Sequence, residues 1–256
     1  MNTLNGKNAL ITGASRGLGR QLALDFARSG TAGLALVARS AGALADTRQQ
    51  IQDVAPGVGV ATIAADLACP EDIERAAATA LAAFGGKLDV LVNNASVLGP
   101  TPMPFLLDYP PADFRAVLDT NLVAPFLLIQ KVLPALVERG GSIINVTSDA
   151  GIVGYPGWGA YGISKSGIEG LSRTWAAELA GTGVRVNWID PGAMDTAMHR
   201  AAEPDEDPHQ WADPAAVTGV FLYLASDESR GVTGKRFLAQ EPGWGAEPVG
   251  AEGGKS

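Results

Sequence analysis

Tyr161 and Lys165 stand four residues apart in Ala160-Tyr161-Gly162-Ile163-Ser164-Lys165, and Ser148 lies thirteen positions before the tyrosine. Together the three carry the parts of a proton-donating site. A phenol has an ordinary pKa near ~10 and is a poor acid-base group at neutral pH. An ammonium one helical turn away favours the phenolate and is expected to bring that pKa toward the working range. A serine hydroxyl beside them can hydrogen-bond a carbonyl oxygen and hold it against the phenol. A bare Tyr-x-x-x-Lys is more often just two groups on an exposed helix face, so the assignment needs support from the rest of the chain.

That support begins at the N-terminus. The apolar run Ala9-Leu10-Ile11 reads as a buried strand and leads into Thr12-Gly13-Ala14-Ser15-Arg16-Gly17-Leu18-Gly19, after which a helical pattern starts. A glycine turn between strand and helix lets backbone N–H groups approach a pyrophosphate at the positive end of the helix. The spacing here is Gly-x-x-x-Gly-x-Gly rather than Gly-x-Gly-x-x-Gly, so the commoner dinucleotide fingerprint is absent. Taken alone, the turn is equally a βα connection that needs glycine for its backbone angles.

With Asp66-Leu67, Asn93-Asn94-Ala95, Asn121, Pro191-Gly192 and Thr196 added in the same order, the chain resembles the short-chain dehydrogenase/reductase family in its classical branch. The resemblance runs from about Gly6 to about Leu238. It implies that Tyr161 is the acid-base catalyst, that Ser148 orients the carbonyl or hydroxyl, and that Lys165 binds the nicotinamide ribose while lowering the phenol's pKa. Asn121 is implied to bend its helix and hold a water linking Lys165 to solvent. Gly13, Ser15, Arg16, Gly17, Leu18 and Gly19 would contact the dinucleotide, with Asp66 and Leu67 at the adenine and Ala95 and Asn93 beside the cofactor, Asn93 stabilising the central sheet there. Pro191, Gly192 and Thr196 would take the carboxamide. Two departures stand out. Ser96 replaces the usual glycine after Asn-Asn-Ala, and Phe237-Leu238-Ala239-Gln240-Glu241-Pro242-Gly243 does not match the usual Val-Asp-Gly-Gly ending.

Cofactor choice is read at the end of the second strand, Leu36-Val37-Ala38-Arg39. NAD-preferring proteins place a carboxylate there to accept from the ribose hydroxyls. Ala38 has none, and Asp25 comes too early. Arg39 and Arg16 suit a 2′-phosphate instead, which points to NADP(H), with NAD(H) as the alternative.

These groups must be positioned by elements that alternate along the chain. Strands are expected at Lys7–Thr12, Gly33–Ala38, Val58–Ala65, Leu88–Asn93, Ser142–Thr147, Val184–Asp190 and Arg236–Ala239. Helices are expected at Gly17–Ser29, Ala41–Val54, Glu71–Phe84, Pro111–Arg139, Gly159–Gly181 and Pro214–Ser226. Apolar runs such as Ile143-Ile144-Asn145-Val146 suit parallel strands buried on both faces. The pattern is α/β, a Rossmann-type doubly wound parallel sheet in one domain over residues 1–240, with a Gly/Pro-rich tail at 241–256.

Composition narrows the partners. The 256 residues carry a net charge of −8, which argues against nucleic acid. No apolar run reaches the ~18 residues of a membrane span, and the N-terminus lacks a secretory pattern. One cysteine excludes an intrachain disulfide and fits a cytoplasmic setting. Two histidines and that cysteine offer no metal set. The loop after Thr196 places four carboxylates in five positions, Glu203 to Asp207, where the family covers its substrate. Tyr155, Trp158 and Trp211 are candidate pocket walls. Apolar stripes on the Pro111–Arg139 helix and the next long helix would allow a monomer. In the family those two helices pair across a two-fold axis, which implies a homo-oligomer, a tetramer or dimer.

The leading reading is a carbonyl reductase, or alcohol dehydrogenase in reverse, acting on a small molecule. Its alternatives are a 3-oxoacyl thioester reductase that meets an acyl carrier protein, and a non-catalytic dinucleotide sensor.

Overall fold

The computed structural model describes residues 3–245. Seven strands form a single parallel sheet in the order β3-β2-β1-β4-β5-β6-β7: β1 (Asn8–Thr12), β2 (Gly33–Ala38), β3 (Gly59–Ala64), β4 (Val90–Asn93), β5 (Ser142–Val146), β6 (Arg185–Asp190) and β7 (Arg236–Leu238). Each strand is reached by a crossover, and the order reverses between β1 and β4. In sheets of this kind the crevice at that reversal, outside the carboxyl ends of the strands, is where ligands bind.

Alternate strand residues feed two core layers. Ala9, Ile11, Leu34, Leu36, Val90 and Val92 face one side, and Leu10, Ala35, Val37 and Leu91 the other. The first layer is covered by α1 (Gly17–Arg28), α2 (Ala41–Val54) and the late helix Gly219–Ala225. The second is covered by α3 (Pro70–Ala83) and a long helical stretch made of α4 (Pro111–Leu118), one π turn (Asp119–Val123) and α5 (Ala124–Arg139). Then come α6 (Gly159–Glu178), α7 (Ala197–Ala202) and α8 (Gly219–Ala225).

The Pro111–Arg139 stretch qualifies one expectation. An 18-residue window in it reaches a mean hydropathy of 1.5, enough by length and composition to cross a membrane. Polar residues interrupt the run, which is why a search for unbroken apolar stretches passes over it. Its Leu128, Ile129, Val132 and Leu136 are buried in the sheet-facing core.

Most element boundaries fall within two residues of expectation, and two helix ends differ by three or more. The last predicted helix, Pro214–Ser226, is a 3-10 turn at Pro214–Val217 followed by α8. The helix expected to reach Gly181 stops at Glu178, ahead of glycines 181 and 183, whose φ values of +83 and +86 are left-handed. The tail expected at 241–256 lies outside the described residues beyond Gly245. Within them, Trp244 packs its ring 5.3 Å from that of Tyr223 on α8.

Candidate active site

The glycine turn is shaped for something to lie on it. Gly13 and Gly17 have φ of +68 and +52. A Cβ at Gly13 would meet Asn94 Nδ2 at 2.8 Å, and one at Gly19 would strike the Gly13 carbonyl, so α1 starts tight against the turn. Asn94 fastens this arrangement by donating from Nδ2 to the Thr12 carbonyl at 2.9 Å. The main-chain N–H groups of Asn94 and Ala95 both donate to Thr12 Oγ1. The family resemblance named Asn94 only as part of a motif.

A cleft of about 1190 Å³ opens above this floor, at the carboxyl ends of the strands. It is lined by Gly13, Ser15, Arg16, Gly17, Leu18 and Gly19, and then by Arg39, Asp66, Leu67 and Ala95. Ser148, Tyr161, Lys165, Pro191, Gly192 and Thr196 line its other end. Asn93 does not line it. That side chain is buried in the sheet and donates from Nδ2 to Asn145 Oδ1 at 2.8 Å, so it braces two strands rather than touching the cleft. Asp25 is remote, accepting from Gln21, Arg28 and Thr218. Arg16 and Arg39 are exposed, and neither is taken up in an ion pair among the described residues. Arg20, which the sequence reading passed over, joins them along the same wall.

At the other end, α6 presents Tyr161 and Lys165 one turn apart. The Lys165 ammonium lies 5.3 Å from the centre of the Tyr161 ring and donates to the Val146 carbonyl at 2.9 Å. Burial pushes this lysine down to about 8, against a smaller opposing pull from the Asp190 carboxylate. The phenol does not behave as the spacing predicts. Burial holds Tyr161 well above the ordinary tyrosine range, the Ser148 hydroxyl pulls the other way, and the charges of Asp190 and Asp149 add to the rise. Burial outweighs the Ser148 hydrogen bond, so the protein by itself keeps the proton on the phenol.

Ser148 ends the strand-to-turn connection after β5. Its hydroxyl donates to Asp149 Oδ1 at 2.8 Å and accepts from the Ala150 N–H at 3.2 Å. Tyr155 donates to the other oxygen of the same carboxylate at 2.8 Å. To donate to a substrate, Ser148 must turn its single proton away from Asp149.

Asn121 sits in the π turn. Its amide is fully engaged: Oδ1 accepts from the Val97 N–H, and Nδ2 donates to the Val97 carbonyl and to Ser164 Oγ. Pro125 has no N–H to give to the Asn121 carbonyl, which fits the longer i+5 spacing seen here, where the Ala124 N–H donates to the Asp119 carbonyl. Thr196 caps α7, its hydroxyl accepting from the His199 N–H at 3.2 Å and keeping its own proton free. Ser96 lines the cleft with an Oγ that is buried and, among the described residues, without a partner.

Trp158 stacks edge-on against Tyr161 at 5.5 Å and lines the cleft with Tyr155. Trp211 does not reach it; that indole packs on His199 and donates to Glu206. Of the acidic loop, Glu203 and Glu206 reach the cleft, while Asp205 stays outside it and Asp207 is spent capping His209. Asp195 and Asp213 line the same rim.

A family model described as short chain dehydrogenase matches residues 7–207. The chain belongs to that family. It is by membership an NAD(P)-dependent oxidoreductase. Among curated relatives, the 3-oxoacyl-[acyl-carrier-protein] reductase FabG of Staphylococcus epidermidis is 34% identical over 239 residues, covering 90% of this chain and 95% of that one. The uncharacterized oxidoreductase YciK of Escherichia coli is 35% identical over 239 residues, covering 93% of each. A Shigella flexneri short chain dehydrogenase structure complexed with NADP superposes with a TM-score of 0.86 at 32% identity, covering 94% of this chain and 99% of that one.

Proposed function

We propose that this enzyme moves a hydride between NADPH and a small carbonyl compound, reducing a ketone or aldehyde to an alcohol or running in reverse. The observation that carries the reading is a single cleft that joins Arg16 and Arg39 over the glycine floor to Ser148, Tyr161 and Lys165. NADPH suits the first end. The glycines leave room for a pyrophosphate at the start of α1, Ala38 offers no carboxylate to a ribose, and exposed guanidinium groups fit a 2′-phosphate. The Shigella relative with NADP supports the same choice.

The cofactor supplies the hydride, and the remaining tasks fall to the chain. Tyr161 donates its proton to the carbonyl oxygen as negative charge develops there. A phenol that burial keeps protonated is the form that reduction requires. Ser148, turned from Asp149, donates to the same oxygen and fixes its place. Lys165 holds the nicotinamide ribose, and its pKa of about 8 lets it pass a proton toward Tyr161 near neutral pH. Water held beside Asn121 then returns the proton from solvent. Thr196 and the backbone at Gly192 hold the carboxamide.

A second reading has one specific observation behind it, the likeness to FabG. A carrier protein bearing an acyl thioester is acidic, and an enzyme that docks it needs a basic rim. The rim here holds Asp195, Glu203, Glu206 and Asp213, and the nearby Arg200 is paired with Asp195 at 2.6 Å. Free substrates are therefore expected to be preferred. The check is NADPH oxidation with free ketones, aldehydes and a carrier-bound 3-oxoacyl thioester, repeated with Glu203→Gln/Glu206→Gln. Preference for the carrier-bound substrate, unchanged by neutralising the rim, would favour the second reading. NADPH binding with no turnover of any compound would leave a dinucleotide sensor.

A homo-oligomer, tetramer or dimer, is also proposed. Val123 and Phe126 on the long helix and Ile163 on α6 are exposed apolar side chains, and a set of this kind needs cover. Light scattering is expected to give a multiple of the 26.3 kDa chain at micromolar concentration, and a stable species at that mass would refute it.

A further inference from the structure

The last strand and the turn after it, where the chain departs from the family's usual ending, carry two polar side chains that reach toward the cleft wall. Along Arg236-Phe237-Leu238-Ala239-Gln240, Phe237 and Ala239 point into the first core layer. Arg236 stands on β7 with its side chain on the other side, and Gln240 follows in the turn that leaves the strand. The Arg236 guanidinium makes three contacts on three elements. It donates to Glu169 Oε1 at 3.0 Å, to Asp190 Oδ2 at 2.8 Å, and to the main-chain carbonyl of Ser148 at 3.3 Å. Glu169 is the next turn of α6 after Tyr161 and Lys165, and is buried with Thr147 also donating to it. Asp190 ends β6, and its other oxygen accepts from the Gly192 N–H at 2.9 Å.

Gln240 completes the span. Its Nε2 donates to the carbonyls of Pro191 and Ala193, both at 2.9 Å. The side chain lies over Gly192, where a Cβ would come within 2.6 Å of that nitrogen. Gly192 also has φ +70, so both its backbone and its missing side chain serve this contact. One continuous set of hydrogen bonds therefore ties the helix bearing Tyr161, the backbone of Ser148 and the turn Pro191–Ala193.

We infer that Arg236 and Gln240 are positioning residues that brace the Pro191–Ala193 turn against Ser148 and α6, and so set the cofactor's reactive end against the proton donor. This rests on the function proposed above. Stability alone does not account for the arrangement. Buried ion pairs give little net stability compared with apolar packing, and Gln240 is largely exposed. What the contacts share is that each ends on the cleft wall or on its immediate support.

Gln240→Ala tests this with little risk to folding. In the protein without cofactor, amide exchange at residues 192–196 is expected to rise roughly tenfold, with the melting temperature within ~3 °C of wild type. The NADPH dissociation constant is expected to rise roughly tenfold, and kcat to fall by a similar factor. Arg236→Lys keeps a charge for the two carboxylates but gathers its donors on one nitrogen, so it loses the fork that reaches Glu169 from Nε while Nη2 serves Asp190 and the Ser148 carbonyl. It is expected to lower kcat roughly tenfold per folded molecule. A purely structural role would lower the melting temperature and leave exchange at 192–196, NADPH affinity and kcat per folded molecule within about twofold of wild type. That result would overturn the inference. If Arg236→Lys does not fold, Gln240→Ala decides alone. If the wild type turns over no carbonyl, the functional reading fails, while local exchange and NADPH affinity still decide the brace.

Discussion

Tyr161→Phe lowers kcat by ~10²–10⁴ while NADPH continues to bind, because the change removes the proton donor and nothing else. The ring that remains still meets Trp158 edge-on at 5.5 Å, and Lys165 keeps its contact with the Val146 carbonyl. Ser148 can still polarise a carbonyl, which is why the loss is bounded rather than complete. Steady-state turnover of the best carbonyl compound, beside a fluorescence titration with NADPH, separates the two effects. Turnover near the wild-type rate in a pure preparation would take Tyr161 out of the mechanism. Loss of both turnover and NADPH binding would mean that the ring's place, not its hydroxyl, was disturbed.

Arg39→Ala weakens NADPH roughly ten- to a hundredfold and leaves NADH nearly unchanged. Only NADPH carries the 2′-phosphate, and one charge-assisted hydrogen bond contributes about 1.5–3 kcal/mol. The residue stands directly after β2, exposed, on the same wall as Arg16 and Arg20. Those neighbours soften the loss, so Arg16→Ala/Arg39→Ala is expected to discriminate further against NADPH. Dissociation constants for both cofactors at two salt concentrations measure it, since a contact between charges weakens with screening. Equal loss for the two cofactors would show that Arg39 does not read the phosphate.

The central strands were legible because each is a short apolar run closed by turn residues, and β2 and α2 have the bounds that their pattern predicts. The glycine turn, Tyr161 and Lys165 were legible because each is a local spacing. The π turn was not. Its residues keep a helical run of side chains, and only Pro125, read together with Asn121, marks where the hydrogen bonding must change. The upward shift of Tyr161 was not legible because spacing reports the nearby ammonium but neither the burial of the phenol nor the carboxylates of Asp190 and Asp149. Glu169, Asp190, Arg236 and Gln240 were missed for a different reason. The contacts of Arg236 and Gln240 join positions 46 to 88 residues apart, and a lone arginine in a short run at a sheet edge looks like surface. Glu169 alone left a trace, falling on the stripe of Tyr161 and Lys165 one turn further along.

The same guanidinium has a bearing on how the chain is made. Glu169 leaves the ribosome sixty-seven residues before Arg236, and Asp190 forty-six before it. At about 5–20 residues per second, the first of these carboxylates waits roughly 3–13 s for its counter-charge. An unpaired carboxylate resists leaving water, so α6 and the end of β6 are expected to dock fully only once Arg236 is present, and a chain cut short ahead of residue 236 is expected to leave Glu169 and Asp190 without that counter-charge.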